Sequence, residues 1–154
     1  MPENSFSVKK KSSFVDRYIV RPGRIWYERR MKILIVDDDP QVHKMLETVL
    51  IPQNFKIQSL LEALPALETI RSFRPDLVIL DIMMPDMSGI DLCQKIRAEP
   101  DINKTLILML SAKDTQNDRL KGLQYGADDY VTKPFHVTTL VRKIEHMLGK
   151  KSGP

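Results

Sequence analysis

Residues 32–50 read KILIVDDDPQVHKMLETVL, and this stretch decides the fold. Residues 33–36 are apolar without alternation, as a strand covered on both faces requires. Three acids and Pro40 follow. Val42, Met45, Leu46, Val49 and Leu50 then recur at i, i+3, i+4, i+7 and i+8, one face of an amphipathic helix. A strand running directly into a helix is half of a βαβ unit, and the pattern repeats downstream. Residues 77–80 and 106–110 are further continuous apolar runs, suited to the buried centre of a sheet. Residues 55–60 alternate and Tyr130-Val131 is short, so both suit outer positions. Between them, Leu64, Leu67, Ile70 and Phe73 mark a second helix, with Pro65 tolerated only in its first turn. Ile90, Cys93 and Ile96 mark a third. A fourth, over about 114–125 with Leu120 and Leu123, is closed by Gly126 as a left-handed cap. Val137, Leu140, Val141, Ile144 and Leu148 mark a fifth. Five strands alternating with five helices predict an α/β, doubly wound five-stranded parallel sheet, (βα)5, with a ligand site at the carboxyl ends of its strands.

Composition narrows the class. The 154 residues suit a single globular core, and no apolar run is long enough to span a membrane or act as a secretory signal, so a cytoplasmic protein is expected. The single cysteine, Cys93, permits no intramolecular disulfide and reads as a small buried hydrophobe. In residues 1–30, eight Lys/Arg against three Asp/Glu leave +5, and therefore −1 for the remainder of a chain whose net charge is +4. Residues 1–30 are read as a basic, flexible extension without regular period, punctuated by Pro22-Gly23, and Met31 would serve equally as the start. Residues 31–150 are the domain and 151–154 a short tail.

The predicted strand ends carry the chemistry. The first delivers Asp37, Asp38 and Asp39, the third Asp81, the fourth Ser111, and the fifth runs into Lys133-Pro134. Clustered carboxylates raise one another's pKa unless a cation compensates, and Mg2+ is the hard ion commonly held by one or two carboxylates together with phosphate oxygens. A carboxylate can itself attack phosphorus. Asp81, alone at the end of an apolar central strand, is the candidate phosphoacceptor; Lys133 supplies a cation and Ser111 a hydroxyl donor. Asp39 before Pro40 has the plainer reading of a helix cap. His43, His136 and His146 lack ligand spacing, and Asp128 and Asp129 read as surface charges.

Four segments, KILIVDDD (32–39), DIMMPDMSG (81–89), LSAK (110–113) and GADDYVTKPF (126–135), resemble in order and spacing the motifs of response-regulator receiver domains of two-component systems. The resemblance covers residues 31–150. It implies the flavodoxin-like receiver fold with strand order 2-1-3-4-5, and a metal site of Asp37, Asp38, Asp81 and the Met83 backbone carbonyl. It further implies a Ser111/Tyr130 switch pair, Lys133 on the phosphoryl group before a cis Pro134, and a loop shaped by Pro85 and Gly89. Met83 and Lys113 occupy positions that tune hydrolysis. The expected partners are a sensor histidine kinase or phosphotransfer protein, and an effector protein or output domain reached through the fourth helix, fifth strand and fifth helix. A homodimer through Arg119, Asp129 and Lys143 lacks one ion pair, because Thr139 stands where an acid is usual. The protein is expected to be a switch and not an enzyme.

Three alternatives are weaker. Asp37-Asp38-Asp39 fits the bare Asp-x-Asp pattern of haloacid-dehalogenase-like phosphatases, but Gln41 departs from it, the chain is short, and Asp81 would have no role. A flavin mononucleotide carrier needs a phosphate cradle where this chain has three acids. Direct DNA binding by the basic arm lacks a recognition helix.

Overall fold

The computed structural model describes residues 7–9, 17–22, 24–112 and 116–151. The chain divides into two compact units, 1–30 and 31–154. In the first, β1 (Ser7–Lys9), β2 (Arg17–Arg21) and β3 (Arg24–Glu28) form an antiparallel sheet. This corrects the expectation of an arm without regular structure. Pro22, read with Gly23 as a breaker, is a turn residue, and Arg21 pairs with Arg24 across the two strands. Its flanks, Tyr18-Ile19-Val20 and Ile25-Trp26-Tyr27, are β-branched and aromatic, the types that favour strands.

The second unit alternates β4 (Lys32–Val36), α1 (Pro40–Leu50), β5 (Lys56–Leu60), α2 (Ala66–Phe73), β6 (Leu77–Asp81), α3 (Gly89–Ala98), β7 (Leu106–Ser111), α4 (Gln116–Gln124), β8 (Asp129–Thr132) and α5 (Val137–Lys151). All five strands are parallel, in the order β5-β4-β6-β7-β8, which is 2-1-3-4-5 counted within the unit. Successive residues of the central strands supply opposite faces. Leu34, Val36, Val78 and Leu80 pack with Ile70 of α2 and Leu92 and Ile96 of α3. Ile33, Ile35, Leu77 and Ile79 pack with Leu46 and Leu50 of α1 and Leu140 and Ile144 of α5. Each fully buried aliphatic side chain contributes roughly 2 kcal/mol over exposure. That is why the central runs show no alternation. Among the described residues, no helix is long and apolar enough to cross a membrane.

Local signals set the helix ends. The Asp39 carboxylate accepts from Gln41 N, with Pro40 in the first turn, so the capping reading of Asp39 holds. Gly126 has φ +106, and the bonds Ala127 N to Gly122 O and Gly126 N to Leu123 O close α4 as a Schellman turn. Two apolar expectations differ. Leu64 lies outside α2 and is 64% exposed, because Pro65 occupies the N-cap and the buried Ala63 and Ala66 take the core positions. Leu120 and Leu123 are exposed, because α4 turns Gly122 inward against Tyr130 and Met109. Residue 114, where α4 was expected to start, lies outside the described residues.

Gly89 opens α3 under a tight constraint: a Cβ there would lie 2.0 Å from the Asp81 carbonyl oxygen. The clash is with backbone, so no rotamer change relieves it. Gly89→Ala is expected to cost about 3 kcal/mol or more in urea unfolding; a loss below about 1 kcal/mol would show that the loop yields.

Candidate functional site

The parallel register sets Val36 beside Leu80, so Asp37, the first residue beyond β4, comes next to Asp81, the last residue of β6. Oxygens of Asp37, Asp38 and Asp81 all lie within 4.8 Å of one another. Asp37 and Asp81 are buried, whereas Asp38 is exposed. Lys133 reaches in from beyond β8, its Nζ 2.8 Å from Asp37 Oδ2 and 3.7 Å from Asp81 Oδ2. The Lys133-Pro134 peptide is cis.

The backbone around the acids is fixed by hydrogen bonds. Asp37 Oδ1 accepts from Asp39 N at 2.9 Å. His43, buried on α1, donates from Nε2 to the Asp37 carbonyl, so this histidine has a structural role at the site. Asp81 Oδ1 accepts from Met83 N at 3.3 Å, which places Met83 in the turn directly beyond the acid, its side chain 56% exposed. Gly89 N donates to the Ile82 carbonyl and closes that loop.

Charge is crowded here. Burial, with repulsion from Asp37 and then Asp38, pushes the Asp81 carboxyl up to about 6, although Lys133 and the Met83 N–H pull it down. Burial alone would lower the Lys133 ammonium, but the Asp37 hydrogen bond and the charges of Asp81 and Asp37 outweigh it and raise it. Among the described residues, one ammonium, Lys133, thus pairs with two of the three clustered carboxylates, Asp37 and Asp81. The donor set is entirely hard oxygen, the chemistry that suits a divalent cation such as Mg2+.

The remaining expected residues sit as follows. Ser111 ends β7 in register with Thr132, one strand from Asp81; the position of its hydroxyl, and all of Lys113, lie outside what the structure describes. The Tyr130 ring is buried against Gly122 and Met109. Of the dimer set, Asp129 and Lys143 pair with each other within the chain at 3.0 Å, and the Arg119 side chain is not among those described. Asp128 is not a plain surface charge: its Oδ2 accepts from Ile107 N and from Arg97, tying the α4–β8 turn to β7 and α3. Sequence reasoning gave no role to Asp86, whose Oδ2 accepts from Ala63 N and Leu64 N. Its partners are backbone amides more than twenty residues away, which leave no mark in the spacing of side chains.

The family model described as the response regulator receiver domain matches residues 33–145. The chain belongs to this family. Among relatives of this receiver, the DNA-binding response regulator MtrA of Mycolicibacterium smegmatis is 44% identical over 121 residues, covering 79% of this chain and 52% of MtrA. The regulatory protein VanR of Enterococcus faecium is 44% identical over 119 residues, 77% of this chain and 50% of VanR. The chain thus spans about half the length of these relatives. Among solved structures, a two-component response regulator from Clostridium difficile aligns with a TM-score of 0.75 at 28% identity, over 80% of this chain and all of that one. A BeF3-activated DrrB receiver domain aligns at 0.70 with 30% identity, over 79% and 99%.

The crowding predicts a pH dependence in metal-free receiver. Folded Asp81 holds its proton more tightly than the unfolded chain does, at about 6 against 3.8, so its ionisation destabilises the fold as pH rises through that window. Asp81→Asn is therefore expected to raise stability in EDTA at pH 7.5 by up to about 3 kcal/mol, with the gain fading as pH falls toward 4. Urea unfolding at several pH values reads this directly, and an unchanged or lower stability at pH 7.5 would refute it.

Proposed function

We propose that this receiver takes a phosphoryl group on Asp81 from a sensor histidine kinase or phosphotransfer protein, with Mg2+ held by Asp37, Asp38, Asp81 and the Met83 carbonyl. The observation that carries the reading is the gathering of three carboxylates at the ends of central strands, two of them paired with Lys133. In the transfer, an Asp81 carboxylate oxygen forms the new bond to phosphorus while the bond to the donor imidazole nitrogen breaks, and that nitrogen recovers a proton from solvent. Bound Mg2+ supplies neutralisation of the acids and of the phosphoryl oxygens. Lys133 contributes a positive charge to the phosphoryl group, and Ser111 a hydroxyl donor. Asp37 orients Lys133 through their 2.8 Å bond, and His43 holds the Asp37 backbone. No general base is needed, because a deprotonated carboxylate is already the nucleophile.

Phosphorylation would be read at the α4, β8 and α5 surface through Ser111 and Tyr130, which makes the protein a switch and not an enzyme with turnover on a separate substrate. Its relative MtrA is named a DNA-binding regulator. A protein carrying this receiver would reach DNA through another segment, since residues 31–154 carry only −1. The Asp129–Lys143 pair would have to open for those residues to cross a dimer interface.

With acetyl phosphate and Mg2+, mass spectrometry is expected to find one added phosphoryl group on the wild type and none on Asp81→Asn. Full labelling of Asp81→Asn would overturn the assignment. Lys133→Ala should slow labelling by about a hundredfold, the usual cost of one lost transition-state donor.

A further inference from the structure

The loop between β6 and α3 carries the Met83 carbonyl, and its hold on that position has three anchors. At its start, Met83 N is bonded to Asp81, while the buried Ile82 and Met84 side chains grip the core on either side of the exposed Met83. At its end, Gly89 N bonds back to the Ile82 carbonyl. Between them, Asp86 Oδ2 leaves the loop and accepts from two consecutive backbone amides, Ala63 N and Leu64 N, each at 2.8 Å.

Those amides belong to the turn that leads into α2, closed by Ala66 N bonding to the Ala63 carbonyl. The N-cap of α2 is Pro65, which has no side-chain acceptor and makes no capping bond. Asp86 therefore supplies from a neighbouring loop the anionic acceptor that the start of α2 lacks, and such charge-assisted bonds are about twice as strong as neutral ones. Its other oxygen, Oδ1, is buried with no hydrogen-bond partner among the described residues. Burying an unpartnered carboxylate oxygen is costly, so packing alone gives no reason for an acid here. The reason lies in the two bonds of Oδ2.

We infer that Asp86 is a positioning residue for the metal site, its carboxylate pinning the Met83 loop to the start of α2 so that the Met83 carbonyl is held ready for the cation. The inference rests on the proposed Mg2+ site. Residues that orient a ligand without touching the metal commonly govern affinity, and their loss costs roughly 10–100-fold.

The test is Mg2+ titration calorimetry on the full chain for wild type, Asp86→Ala and Asp86→Asn, with urea unfolding of each in EDTA. Asp86→Ala is expected to weaken Mg2+ binding by roughly tenfold, and Asp86→Asn, whose amide oxygen can still accept from both N–H groups, to keep most of the wild-type affinity. An Asp86→Ala protein that is less stable in EDTA but binds Mg2+ as wild type does would make the residue merely structural and overturn the inference. Equal losses in the Ala and Asn variants would also overturn it, because removal of charge and not of positioning would be the cause. Failure of the proposed site itself looks different: wild type then binds no Mg2+, and this inference falls with it.

Discussion

Repulsion among Asp37, Asp38 and Asp81 is the constraint on which the rest of the site depends. Adjacent parallel strands place their carboxyl ends at one edge, so a sheet with Asp37 just beyond β4 and Asp81 at the end of β6 must crowd them. One ammonium, Lys133, sits between Asp37 and Asp81, and it leaves Asp81 raised to about 6. A deprotonated, buried Asp81 at neutral pH is therefore a strained state that added positive charge relieves. The feature that destabilises the fold is also the one on which the proposed cation site rests.

The scaffold meets that repulsion with short, local restraints. Asp39 is taken out of the cluster by capping α1, and His43 reaches back from the same helix to hold the Asp37 backbone. Gly89 lets α3 start against the Asp81 carbonyl, where any side chain would collide. Asp86 crosses to the next loop. The backbone around the acids is thus fixed by hydrogen bonds to main-chain groups that leave the cluster itself unfilled.

Much of this was legible in the sequence because it follows from periodicity and from strand ends. Runs without alternation marked the two-faced central strands, and the residues just beyond them were the acids. What was not legible depends on partners remote in sequence. Asp86, Asp128 and the buried Asp76, which accepts from Lys32 N, each satisfy backbone amides on other elements, and a backbone amide has no residue type to read. The misreadings have the same origin in competition between signals. Pro22 interrupts a regular period yet lies in the turn between two paired strands, and Leu120 and Leu123 have core spacing although Gly122 takes the inward face.

Asp81 carries the central claim, that its raised pKa and the proposed cation site are two views of one cluster. Calorimetry of Mg2+ binding to the wild-type chain between pH 7.5 and pH 5 tests it most directly. Competition between proton and metal at a carboxyl titrating near 6 predicts binding of one ion at pH 7.5 and an affinity about tenfold weaker at pH 5. An affinity that does not change over this range would contradict the account.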